Sequence, residues 1–353
     1  RRFMGCGAST PAAPKEVAVV AREQSQTDGK LKDSDILAIV RDVRVRNGIL
    51  EYEGRARDME ADQLTKVKAA LDLLDVKDNP GKWTMLDWDQ IQASAATTLV
   101  MPSTIHQGET TTCGAISVLE AMAFFRPKLY ATLVLAVWSR AQIVNHQGQP
   151  WGDTPDLKPE LLAVEPPTSI QGASVADWMV ATAMIAEIKD QSFFRDLLGH
   201  DDYLGQDAHG PGGKTVDHAR GLTYAWDVSK FMRELLGCHE TDRQMAYWVP
   251  RPSVTDRMVE LTQSGALARG ETVLLCLISN SMWKRAEYDA DVANADGWSV
   301  PEHWVRVRSV EPQGGELLCI KVFSFGEVEE RHISRTGWQR LYFEAIFGSL
   351  TPE

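Results

Sequence analysis

The apolar positions of this chain follow no period over roughly the first thirty residues, where Ala, Pro, Ser, Gln and Lys predominate; residues 1–30 are expected to form a disordered or tethering leader. Helical spacing begins after Asp33-Ser34-Asp35, a group suited to capping a helix that opens on Ile36-Leu37-Ala38-Ile39-Val40 and stops near Gly48. A second helix is predicted over Met59–Leu74, with Leu64, Val67, Ala70 and Leu71 on one face, and Asn79-Pro80-Gly81 reads as a turn. Residues 31–95 are therefore read as a small helical N-terminal domain, which could inhibit, dock or deliver, and 96–353 as the main domain.

In the main domain, Cys113–Phe125 and Pro127–Val144 read as two helices, with Pro127 suited to the first turn of the second. Residues 146–170 form a Pro-rich polar insertion. Ser174 is placed to cap a long amphipathic helix carrying Trp178, Met179, Ala183, Ile185 and Ile188 and running on to Phe193-Phe194. Val254–Ser264 is a short helix closed by Gly265. The unbroken run Val273-Leu274-Leu275-Cys276-Leu277-Ile278 is typical of a buried strand. Trp304–Val310, a Gln313-Gly314-Gly315 turn and Leu317–Phe325 make a hairpin. Helices precede strands, so the expected class is α+β.

Composition narrows the function classes. A formal net charge of −12 argues against a nucleic-acid-binding surface as the main role. Five widely scattered cysteines (Cys6, Cys113, Cys238, Cys276, Cys319) read as free thiols rather than a disulfide scaffold or a metal motif. No apolar run reaches the ~18 residues that span a bilayer, and no apolar segment of signal-peptide type follows Arg1-Arg2-Phe3. A cytoplasmic protein, or one delivered into a target cell without a cleavable signal, is expected. Met4-Gly5-Cys6 also fits an acylation pattern, in which Gly5 and Cys6 would attach the chain to a membrane; a flexible small-residue leader is the plainer reading.

Two further patterns carry little. Ala208-His209-Gly210-Pro211-Gly212-Gly213-Lys214-Thr215 fits a permissive phosphate-loop pattern, but the acidic residues before it have no strand character. Asp201, Asp202, His209, Asp217 and His218 lack the spacing of helical metal ligands. Neither a metal nor an organic cofactor is expected.

The informative constellation is Gln107, Cys113 and His303. Cys113 follows the polar turn Gly108-Glu109-Thr110-Thr111-Thr112 and opens an apolar helix, where unpaired backbone N–H groups favour a thiolate. Gln107, six residues earlier, offers an amide for a developing oxyanion. His303 begins an alternating strand directly after the buried-strand signal, whereas His332 stands in the charged run Glu329-Glu330-Arg331-His332, read as a solvated connection. Nucleophile, base and oxyanion donor are the parts of a cysteine hydrolase.

These segments, about residues 104–130 and 265–326, resemble the papain-like cysteine peptidases, and among them the bacteriocin-leader-processing peptidases and related bacterial effector proteases. The resemblance implies a helical lobe carrying Cys113 as nucleophile and an antiparallel lobe carrying His303 as general base and acid. Gln107 and the Cys113 N–H would hold the oxyanion. It also implies a protein or peptide substrate and, for an effector or toxin, a cognate inhibitor or immunity protein. The family orients its histidine with a later Asn or Asp, yet this chain has neither after His303. Phe323-Ser324-Phe325-Gly326 is similar to the family's Asn-Ser-Trp-Gly segment, and Ser324 shares a strand face with Ile320 and Val322. Ser324 is the expected third residue; a backbone carbonyl, Glu327 or an Asp elsewhere are the alternatives. A peptidoglycan amidohydrolase, an acyltransferase or transglutaminase, and a catalytically degenerate papain-fold binding module remain as other readings.

Overall fold

The structure is a computed structural model that describes residues 63, 65–76, 80–106, 112–152, 156–166, 175–190, 223–245, 252–286, 301 and 303–351. Gly5, Cys6, the expected helix from Ile36, Gln107, Ser174, Phe193-Phe194 and the Gly-rich loop ending in Lys214-Thr215 lie outside the described residues, as do the acidic and histidine residues from Asp201 to His218.

The described chain is α+β. Its helices are α1 (65–74), α2 (Trp88–Val100), α3 (Cys113–Phe125), α4 (Pro127–Arg140), α5 (Pro159–Leu162), α6 (Val175–Asp190), α7 (Ala225–Lys230), α8 (Pro252–Gln263), α9 (Ala266–Arg269), α10 (Asn280–Arg285) and α11 (Arg335–Leu341). Six strands form one antiparallel sheet: β1 (Glu240–Met245), β2 (Thr272–Ile278), β3 (His303–Gly314), β4 (Leu317–Ser324), β5 (Glu327–Ser334) and β6 (Tyr342–Ser349). Their spatial order is β1-β6-β2-β3-β4-β5.

The sheet is covered on both faces, which is why β2 reads as a continuous apolar run rather than an alternating one. Val273 and Leu275 join the core of α1–α4, α6 and α7, while Leu274, Cys276 and Ile278 join the core of α8, α10 and α11. Ile91, Ala95 and Leu99 of α2 pack into the same helical core as α3, so the boundary expected near residue 95 falls inside a helix. No helix among the described residues is long and apolar enough to cross a membrane.

Three expectations are revised. The helix predicted over Pro127–Val144 stops at Arg140, because Ala141 turns left-handed at φ 53°. The helix after Ser174 is buried on all sides from Val175 to Met184, not amphipathic. The charged run around His332 is strand β5, at the sheet's edge, where Glu and Arg discourage further pairing.

Among the described residues, Asp177 is an acid set deep in the helical core. Asp177 is fully buried, accepts from Thr98 Oγ1 at 2.7 Å and from Tyr130 OH at 2.6 Å, and burial pushes its carboxyl up to about 7 against those hydrogen bonds. A folded pKa raised above the unfolded value gives a contribution that is complete below about pH 4 and lost as pH rises through about 7. The loss is at most about 1.4 kcal/mol per pH unit. Asp177→Asn, whose amide still accepts from Tyr130, should therefore gain stability on the wild type between pH 5 and pH 7. Urea midpoints at both values check this; a constant difference would place the titration elsewhere.

Candidate active site

Helix α3 has no side-chain N-cap: Thr112 precedes it without capping, and the Cys113 sulfur is hydrogen-bonded by the backbone of Cys113 itself and of Gly114. Gly114 is required by space, since a Cβ there would stand 2.7 Å from Thr223 Cβ and 2.9 Å from Val228 Cγ2. The same sulfur is hydrogen-bonded to the backbone of Trp304, the second residue of β3.

Cys113, Ser117 and Glu120 lie on one face of α3 at i, i+4 and i+7, and that face runs along β3. Ser117 Oγ donates to Trp304 O at 3.1 Å. The pairing of β3 with β4 begins only at Arg306, so side chains of α3 serve the Trp304 backbone where no β4 residue pairs with it. Further along, the buried Glu120 carboxylate accepts from Arg306 Nε, from Arg306 Nη2 at 2.7 Å and from Arg308 Nη2 at 2.6 Å. Seven residues of helix rise about 10.5 Å and four of strand about 13 Å, so the two elements keep step from Cys113/Trp304 to Glu120/Arg308.

His303 opens β3. It pairs with Ile278, and its side chain leaves the strand on the face that carries α10, where Ser324 emerges from β4. His303 Nε2 lies 3.0 Å from Ser324 Oγ, and Phe325 stacks on the imidazole with centroids 4.1 Å apart and planes within 6°. Phe325 holds a left-handed backbone at φ 47°, followed by Gly326 at φ 86°, which closes β4 onto β5 in two residues. A Phe in that region is strained by roughly 1–2 kcal/mol; strain of this kind concentrates where a side chain must be aimed. The Ile105-His106 segment packs against the same turn, since a Cβ on Gly326 would stand 3.0 Å from His106 Cδ2 and 3.4 Å from Ile105 O.

Cys113 and His303 thus flank the first peptide of β3, the thiol on the side of the helical core and the imidazole on the side of α10. No hydrogen bond joins them: the ring is engaged by Ser324 and Phe325, and the sulfur by backbone groups. Burial pushes the Cys113 thiol up, against those backbone hydrogen bonds. Burial, helped by the Lys284 ammonium of α10, holds His303 down at about 3. At neutral pH the resting pair is a thiol and a neutral imidazole.

Of the four sequence-predicted residues, the structure brings His303 and Ser324 into contact, sets Cys113 against the residue next to His303, and does not describe Gln107. Phe325, Lys284 and the Glu120–Arg306–Arg308 cluster went unread. The cluster had a sequence signal, because Ser117 and Glu120 are the two polar side chains following Cys113 on an otherwise apolar helix. Lys284 had none. Among the described residues one group of metal-type donors converges, Cys319, Glu330 and His332, on a different part of the sheet. No protein-family model matches the chain, and no curated protein matches it in sequence.

Proposed function

We propose that this chain is a cysteine hydrolase of papain-like architecture that cleaves an amide bond in a protein or peptide. The observation that carries the reading is the Cys113 sulfur, at the N-terminus of a buried helix, hydrogen-bonded to the backbone of the residue that follows His303. Support also comes from Ser324, which engages His303 Nε2 and leaves Nδ1 as the nitrogen that exchanges a proton with sulfur.

Because both groups rest neutral, the thiol proton passes to His303 as sulfur bonds to the substrate carbonyl carbon. The imidazolium then protonates the departing amine, leaving a thioester on Cys113. Water, losing a proton to His303, attacks that thioester; the acid is released and the thiol restored. Backbone N–H groups at the start of α3 stabilise the oxyanion, with Gln107 as the side-chain donor. The imidazole rests on the opposite face of β3 from the sulfur, so the first transfer requires it to leave Ser324 and Phe325 and the start of β3 to shift when substrate binds.

A non-catalytic binding module is the second reading, and the buried, neutral, separately engaged pair favours it. Purified protein incubated with reduced casein separates the two. Cleavage that stops when iodoacetamide has modified Cys113 stoichiometrically supports the peptidase. Solubilisation of purified sacculi instead of casein would move the same Cys–His pair to a peptidoglycan amidase. Intact casein and sacculi, with Cys113 alkylated no faster than Cys238 or Cys276, would overturn the hydrolase.

A further inference from the structure

We propose that Cys319, Glu330 and His332 form a binding site for a divalent metal ion of the zinc type on the β4–β5 hairpin, apart from Cys113 and His303. Cys319 of β4 stands directly across from His332 of β5, and Glu330 lies two residues along the same face. Cys319 Sγ, a Glu330 carboxylate oxygen and a His332 ring nitrogen all lie within 4.8 Å of one another. The His332 Nε2 to Glu330 Oε1 distance is 3.3 Å. Two ligand atoms bound at about 2.0–2.1 Å in a tetrahedron are separated by about 3.3–3.4 Å, so these two already span one edge of a zinc polyhedron.

The donor set of thiolate, imidazole and carboxylate suits zinc rather than magnesium or calcium, which prefer oxygen alone. The charge around it suits a cation. Glu311 of β3 pairs with Cys319 from the other side and adds a second carboxylate beside the thiol. Lys321, 3.3 Å from Glu330 Oε2, can keep that oxygen while Oε1 turns to the metal. Binding exchanges the Cys319 thiol proton for the metal and releases it to solvent; His332 binds neutral, and water fills the fourth position. The sequence hides this site because its ligands are neighbours across a hairpin rather than at a short spacing along the chain.

Such an ion would pin β5, the sheet's edge strand, to β4. Cys319 is five residues from Ser324, about 17 Å along the strand, so the ion would brace the hairpin without touching His303. The test uses the full chain, stripped with chelator and titrated with cobalt(II). One equivalent should raise a thiolate-to-cobalt charge-transfer band that zinc abolishes by displacement, and zinc should raise the melting midpoint. Cys319→Ser should remove the band. His332→Ala, at an exposed position where folding is not at stake, should weaken zinc binding by more than the about 10–100-fold that loss of an outer-shell partner costs. No band in the wild type, or a band of undiminished intensity in Cys319→Ser, would overturn the site.

Discussion

Replacing Glu120 by glutamine is expected to destabilise the fold by about 3–5 kcal/mol, because it strips the counter-charge from two buried guanidiniums at once. Arg306 is 3% exposed and Arg308 9%, and both converge on a carboxylate that is fully buried. Burial alone would raise the Glu120 pKa; the two guanidiniums outweigh it and hold the group below its ordinary value. A depressed folded pKa means the contribution is complete above about pH 4.3 and lost as pH falls through the folded value. The Phe124 and Phe125 rings, 4.9 and 5.1 Å from the Arg306 guanidinium carbon, soften the loss without replacing a charge. Denaturant unfolding of Glu120→Gln checks the magnitude. A change under about 1 kcal/mol would mean that the cluster is worth no more than an exposed ion pair. A triple replacement by Leu at Glu120 and Met at Arg306 and Arg308 should recover most of the loss, since buried ion clusters are often matched by well-packed apolar side chains.

That cluster bears on the site as well as on stability. Apolar packing is non-directional and would tolerate a slide of α3 along β3. Bidentate guanidinium–carboxylate bonds do not, and they fix the helix at its far end while Ser117 and Cys113 meet Trp304 at the near end. An unfolded fraction too small to measure in a partly destabilised variant would still leave Cys113 free to shift relative to Trp304. The same variant should therefore lose reactivity at Cys113 before it loses structure.

How much of this was legible in the chain follows from what each element buries. Strand β2 and the β3–β4 hairpin were readable because their runs are apolar and their turn is marked by Gly314-Gly315. The two edge strands were not. β1 is Glu240-Thr241-Asp242-Arg243-Gln244-Met245 and β5 is largely Glu and Arg, and edge strands carry such residues to prevent further pairing. β6 follows α11 with no intervening loop, so the apolar stretch from Trp338 to Phe347 offers no break at which a helical period gives way to a strand period. At the site, order along the chain placed Cys113 beside the start of β3, and the strand alternation placed Ser324 with His303. Protonation was not legible: a sequence reading expects a thiolate at a helix N-terminus, whereas burial makes the thiol and the imidazole neutral. Charge depends on the solvent left around a group, and that is set by the whole packing on both faces of the sheet.

The second large effect is expected at His303. If the proposed hydrolysis operates, His303→Ala should lower kcat/KM by about 10^4-fold or more and Cys113→Ala should abolish it, because bond formation and proton transfer both fail. Ser324→Ala should cost only about fivefold, the worth of one hydrogen bond of about 1 kcal/mol that orients a ring already clamped by Phe325. The pH profile distinguishes this neutral pair from a resting ion pair. With His303 held down at about 3 and burial pushing the thiol up, the ionised pair is a very small minority, and its population does not change across neutral pH. The profile of kcat/KM should then be flat from pH 5 to pH 8, with no inflection near 6.5. An acid limb near 6.5 would mean that His303 is solvated when it works and that the packing around it opens before sulfur attacks. A Ser324→Ala enzyme as slow as His303→Ala would make the hydroxyl the group that keeps the imidazole in its reactive tautomer rather than a minor orienting contact.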